Sequence, residues 1–332
     1  MDTSASTRRR AVLALAAGGL LGARGLAHAQ PADFPSRPIR VLCGFAPGGP
    51  TDVIARLVAA DMTLSLGQSV IVENRAGANS LIATQELLRA APDGYTLIAA
   101  TLAHNINPIL IPDKAKYHPI RDVAAVSLAA TVPMIAVTGH DSPITALADV
   151  VAQAKAKPGS VTYGSAGHGG SAHLAAAALG NLSKTEMTHV PFKGNAPALT
   201  EVIAGRVSFM FYPMVGIADQ VAAKRLKALA VTTAKRHPDF PNVPTMAELG
   251  YPGFEDYSPG IPFLAPAGTP APVLDKLSAA IRASVAKPET REKLRQLGAV
   301  AVGTTPAELV TWLQMDYERW DRLIKAAGVK AE

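Results

Sequence analysis

CGFAPGGPTDVIAR, residues 43 to 56, decides the fold. A short apolar run, Ile39 to Cys43, feeds a loop of glycine and proline, and from Asp52 onward the apolar residues recur at helical spacing. Strand, glycine-rich loop, helix is the layout with which α/β proteins hold anions. The N–H groups of a first helical turn have no intrahelical acceptor, and the helix dipole adds partial positive charge at the same place.

The pattern occurs three times. Residues 73–80, Glu-Asn-Arg-Ala-Gly-Ala-Asn-Ser, follow one apolar run and precede a helical stretch; residues 163–171, Tyr-Gly-Ser-Ala-Gly-His-Gly-Gly-Ser, do the same. Three such loops at strand ends point to convergence on one small anion. Around them, strands are expected at 39–43, 70–73, 96–100, 126–130, 134–137, 161–164, 186–190, 207–211 and 228–232. Helices are expected at 51–65, 81–90, 146–155, 171–182, 196–204 and 217–223. This alternation predicts an α/β protein with mainly parallel sheets flanked by helices. Residues 238–260, rich in proline and glycine, read as a long irregular connection before helices at 271–286, 289–297 and 306–327. The aromatics Trp312, Tyr317 and Trp320 of the last helix read as a packing stripe.

The N-terminus reads as an export signal: Arg8, Arg9 and Arg10, an apolar core from Ala11 to Leu21, and Ala27-His28-Ala29 before a cut near Ala29/Gln30. Ser6-Thr7-Arg8-Arg9 leaves both Sec and twin-arginine export open. The 332 residues carry 32 basic and 26 acidic side chains, net +6. Residues 1–29 hold four Arg and one Asp, which leaves 28 basic and 25 acidic residues, net +3, on the mature chain. That small, scattered excess gives no nucleic-acid footprint. A single cysteine, Cys43, excludes an intrachain disulfide and reads as a buried thiol. A periplasmic location is expected.

Enzyme signatures fail in turn. No Gly-Lys-Ser/Thr follows the loops, so there is no phosphate-binding loop of the nucleotide type. Tyr163 stands where a nucleophile elbow around Ser165 needs glycine. Neither HExxH nor a carboxylate cluster supports a metal, and none is expected, nor is any cofactor. Gly167-His168-Gly169-Gly170-Ser171-Ala172 does match the dinucleotide pattern GxGxxA, with Glu186 at the usual distance, so an exported NAD-dependent oxidoreductase stands as an alternative. No catalytic set assembles, and no enzymatic activity is expected.

The ordered landmarks resemble a known family. They are Phe45 to Asp52, Val72 to Arg75, Pro92 to Leu97, Tyr163 to Gly169, His173-Leu174, His189 to Gly194, Pro241 to Gly250 and Leu264 to Pro272. The chain resembles the extracytoplasmic solute-binding proteins of tripartite tricarboxylate transporters, the Bug family. The resemblance implies a two-lobed Venus-flytrap fold of the periplasmic-binding-protein type, with 30–131 plus 255–332 as one lobe and 132–254 as the other. It implies a monomer that captures a di- or tricarboxylate, or an aromatic acid, and delivers it to membrane permease subunits; a periplasmic sensor for a two-component kinase is an alternative. Carried over by position, Phe45, Ala46, Pro47, Gly48 and Gly49 line one side, beside Gly77, Ala78, Asn79 and Ser80. Ser165, Ala166, Gly167, Ser171 and His173 line the other; Tyr212, outside the carried-over motifs, reads either as stacking on a flat ligand or as a surface tyrosine. The family has glycines where Asn79 and Ser80 stand and proline where Gly44 stands, and many members carry Phe-Asp after the strand that ends at Phe211, where Tyr212-Pro213-Met214 follows here. Loss of that acid disfavours amino-acid ligands.

Overall fold

The computed structural model describes residues 34–329, so the expected signal at 1–29 lies outside the described residues. Regular structure begins with β1 (Ile39–Cys43), α1 (Pro50–Leu66), β2 (Val70–Asn74), α2 (Leu81–Arg89) and β3 (Thr96–Ala99). β1 pairs in parallel with both β2 and β3. Its Ile39, Val41, Leu42 and Cys43 are fully buried, an apolar strand covered on both faces and interrupted only by half-buried Arg40. Burial also pushes the Cys43 thiol up to about 11, which makes it an inert packing residue. Proline in the first turn of α1 and left-handed Gly67 just after it are start and stop signals written in the sequence.

Next come α3 (Leu102–Leu110), β4 (Val123–Thr131) and, after only Val132 and Pro133, β5 (Met134–Gly139). The chain then builds α4 (Leu147–Ala156), β6 (Thr162–Ser165), α5 (Ser171–Ser183), β7 (Thr188–Pro191), α6 (Asn195–Ile203), β8 (Met210–Pro213), α7 (Ile217–Ala222) and β9 (Leu226–Val231). It returns to β10 (Gly260–Pro266), α8 (Ala271–Ala286), α9 (Pro288–Gln296), β11 (Val300–Ala301) and α10 (Pro306–Ala326).

The strands fall into two groups. One sheet has the order β11-β4-β10-β3-β1-β2; the others are β8-β5-β9 and β6-β7, linked by a bridge between Tyr163 and Phe209. The sheets are mixed rather than mainly parallel. β10 lies antiparallel between β3 and β4, and β5 is antiparallel to both β8 and β9. β10 was hidden within and beyond the proline-rich connection because Pro262 lacks the N–H that a central strand needs. The ladder absorbs the defect with a register shift between Ile261 and Pro262.

Two segments cross between the groups side by side: Val132 N–H donates to the Pro259 carbonyl at 2.9 Å, and Gly260 pairs with Thr131. One core packs on the first sheet around Leu42, Leu87, Ile98, Leu264, Leu309 and Leu313. A second gathers Met134, Leu174, Phe209, Phe211, Phe254 and Trp320. α10 therefore serves both cores, its first half one and its second half the other. The expected aromatic stripe is only partly a core stripe: Trp320 is fully buried, whereas Trp312 and Tyr317 are half-buried. No described helix is long and apolar enough to cross a membrane.

Candidate functional site

The first glycine-rich loop is held from beneath by Asp52. Its Oδ2 accepts from Gly48 N–H at 3.0 Å, its Oδ1 from Asn74 Nδ2 at 2.9 Å, and Arg56 Nε lies 3.0 Å from both oxygens. Burial works against ionisation of Asp52, yet the hydrogen bonds from Arg56, Gly48 and Asn74 outweigh it and hold the carboxyl below the usual range. Asn74, at the end of β2, also donates to the Phe45 carbonyl at 3.0 Å. The charge of Asp52 thus shapes the loop rather than serving a ligand. Arg75 is likewise engaged, pairing with Glu73 and Glu86 alongside Arg40.

Above this loop lies a cavity between the two groups of strands. Four helices begin on it: α1 with Gly49, Pro50 and Thr51; α3 with Thr101, Leu102 and Ala103; α5 with Gly170 and Ser171; α6 with Asn195. Glycine precedes α1, α5 and α6, and none of the three has a side-chain cap. Their first-turn N–H groups have no side-chain acceptor competing with a ligand for them. Among the described residues no charged side chain lines the cavity; its remaining walls include Phe45, Val132, Pro213, Pro259 and Ile261. The site combines the starts of these helices with the polar side chains Thr51, Asn79, Thr101, Ser171 and Asn195 among otherwise apolar walls; Thr101 Oγ1 already accepts from Ala103 N–H at the start of α3.

Of the expected site residues, the structure brings Phe45, Gly49, Asn79, Ala166 and Ser171 onto this cavity. Gly77, Ala78, Ser80 and Gly167 line an adjoining concavity. A Cβ on Gly194, just before α6, would lie 3.3 Å from the Ala46 side chain, so Ala46 packs against the opposite wall. Pro47 is exposed and Gly48 faces a separate groove. Ser165 and His173 sit behind the loop. Tyr212 corrects the expectation: it is buried in the core of the antiparallel sheet among Ile135, Leu199 and Ile217, and Pro213 takes the place at the cavity. Alternation along β8 sends neighbours to opposite faces, which explains the swap. Thr101 and Asn195 were not anticipated. A readable signal existed for Asn195, which follows the Phe192-Lys193-Gly194 landmark, but not for Thr101.

The second loop is left-handed throughout, with φ of +138°, 46°, 47° and 66° at Gly77, Ala78, Asn79 and Ser80. Three non-glycine residues in that region store roughly 1 kcal/mol or more each. Two departures from the family pattern turn out to be one exchange. A Cβ on Gly44 would lie 1.8 Å from Ser80 Oγ and 2.8 Å from its Cα, so the serine fills the room that a larger residue at 44 would need. Gly44→Ala is expected to cost about 1–3 kcal/mol. In Gly44→Ala/Ser80→Gly part of that loss returns, giving a coupling of about 1 kcal/mol in urea-melt double-mutant cycles. Strict additivity would mean that the two residues do not compete for one space.

Behind the third loop lies a stack of rings. His173 and His189 are parallel within 3° at 3.9 Å, with Tyr163 5.2 Å from His189. Gly169 N–H donates to His173 Nδ1 at 2.9 Å, and Ser165 Oγ meets His189 Nε2 at 2.6 Å. Desolvation holds His173 down at about 3 and His189 at about 4, so both rings are neutral acceptors and donors that set the loop's shape. Ring nitrogens of His168, His173 and His189 lie within 4.8 Å of one another. The in-plane lone pairs of two parallel stacked rings do not converge on a point, and the Nδ1 of His173 is occupied, so the arrangement does not fit a shared ion. The dinucleotide fingerprint also fails in space. Glu186 precedes β7, at the opposite end of that strand from the loop after β6, because Ser165 pairs with Pro191.

Two sheet groups joined by paired crossing segments, with helix N-termini converging between them, define a two-lobed α/β solute-binding fold. Residues 54–329 match the family model described as tripartite tricarboxylate transporter family receptor. BugT of Bordetella pertussis is 33% identical over 329 residues, 98% of each chain. A Rhodopseudomonas palustris protein solved with adipate is 31% identical, with a TM-score of 0.86 over 90% of this chain and 100% of that one. MatC from the same organism, solved with malate, is 32% identical with a TM-score of 0.82 over 88% and 100%. The chain belongs to the tripartite tricarboxylate transporter receptor family, among the Bug-type solute-binding proteins.

Proposed function

We propose that the protein captures a small organic carboxylate in the cavity where α1, α3, α5 and α6 begin, and presents it to the permease subunits of a tripartite transporter. The observation that carries this reading is the convergence of four helix starts on a cavity without a charged side chain. Backbone N–H groups and dipoles hold an anion, and the lack of a buried cation keeps release feasible. Relatives solved with malate and adipate support the ligand class. The lobes are 30–131 plus 255–332 and 132–254, a division supported by the membership of the sheets. The mature protein acts in the periplasm as a monomer without catalysis, after cleavage near Ala29/Gln30.

Calorimetry with malate, adipate, benzoate, glutamate and NAD tests the reading. An organic acid is expected to bind in the micromolar range, about −8 kcal/mol, with no response to NAD. Binding of NAD alone would overturn it. Ser171 offers a hydroxyl and an N–H at the cavity wall. Ser171→Ala is expected to weaken the acid roughly tenfold or more, the worth of one hydrogen bond to a charged group. An unchanged Kd would place the ligand elsewhere.

A further inference from the structure

Beside this cavity lies an outer concavity, and the two share Phe45, Asn79 and Ala166 as walls. Its rim carries one lysine from each side: Lys114, between α3 and β4, and Lys193, between β7 and α6. Among the described residues no aspartate or glutamate lines it. Both lysines are exposed, and among the described residues neither ammonium has an ion-pair or hydrogen-bond partner; Lys114 engages only its backbone, its N–H donating to the Ile111 carbonyl at 3.0 Å and its carbonyl accepting from Gln85 Nε2. Two like charges drawn together across a seam oppose closure unless an anion lies between them.

At the neck between the two spaces stands Asn79. Its Nδ2 donates to Asn107 Oδ1 at 3.2 Å, while its own Oδ1 is buried without a partner. A bare acceptor at the neck repels a carboxylate oxygen and accepts a methylene or a hydroxyl. Charge on the ligand therefore belongs on either side of the neck and not in it.

We infer that Lys114 and Lys193 form an outer anion subsite that takes a second acidic group of the ligand, so that the protein selects dianions long enough to pass the neck at Asn79. This rests on the carboxylate reading above. The probes are adipate and hexanoate, which share a six-carbon chain and differ in one terminal acid. Both are titrated at one ionic strength into the unaltered protein, Lys114→Gln, Lys193→Gln and the double variant. The double variant is expected to lose at least tenfold in adipate affinity and less than twofold in hexanoate affinity, with each single change between. An adipate-to-hexanoate ratio unchanged by the double substitution would overturn the subsite, and so would equal losses for both acids, which mark general attraction only. If neither these acids nor any other bound the unaltered protein, the carboxylate reading itself would fall and the subsite with it. Acid binding with an unchanged ratio removes the subsite alone.

Discussion

Lowering the pH from 7 to 5 is expected to remove about 4 kcal/mol of folding stability, read from urea melts across that range. Two buried histidines dominate. Desolvation holds His104 at about 4 and His173 at about 3, against an unfolded value near 6.5. His104 donates from Nε2 to the Pro119 carbonyl at 2.7 Å, and its Nδ1 has no partner that could hold a second proton. A base with a lowered folded pKa binds fewer protons folded than unfolded. Stability is therefore whole above about 6.5 and falls as the pH drops from there toward the folded values, by about 1.36 kcal/mol per unit and per group. His189 adds a smaller part because it is more exposed. The lowered carboxylates Asp52, Asp61, Glu73 and Glu86 lose their contribution only below roughly 4, outside this window. Asp316, raised by burial, works in the opposite direction. His104→Gln keeps a donor for Pro119 and should flatten the slope by about one histidine's share. A stability that stayed level between pH 7 and 5 would show that these rings take up protons as readily in the fold as in the unfolded chain.

Asp316→Ala is expected to cost about 3–5 kcal/mol, the penalty for breaking a buried, hydrogen-bonded charge. Asp316 is 3% exposed in the middle of α10. It accepts from Asn105 Nδ2 at 2.8 Å and Trp320 Nε1 at 3.0 Å, and pairs with Arg319. Truncation leaves Asn105 Nδ2 and Trp320 Nε1 without an acceptor and leaves Arg319 only the Ser258 carbonyl at 3.4 Å. Asp316→Asn should cost less. Asn105 Oδ1 lacks a partner, so a turned Asn105 amide can accept from the new side chain. Urea melts of both variants check the order; a loss under about 1 kcal/mol for alanine would mean that the charge contributes little beyond its burial.

The three loops were legible because glycine and proline at strand ends announce their backbone directly. Two elements that complete the site were not. α3 carries His104, Asn105, Asn107 and Pro108, polar or helix-breaking residues that mask a helix, yet the first three are buried because they bond to neighbouring elements. β10 hides two prolines in a central strand. Tyr212 and Pro213 show the same limit at finer scale. Composition could place an aromatic near the cavity, but only the pleat of β8 decides which neighbour faces it.

α10 gives the molecule a third crossing, away from the paired segments at Val132 and Pro259. Leu309 and Trp320 seat its ends in different cores, eleven residues or about 17 Å apart along the axis. A straight rod anchored at both ends does not stretch as the lobes part. It allows its seated side chains to slide by about 1–2 Å, or to jump by a whole turn of about 5.4 Å, with little between. Any parting of the two cores is therefore expected to come in discrete settings, and the polar knot at Asp316 sits at the midpoint of α10.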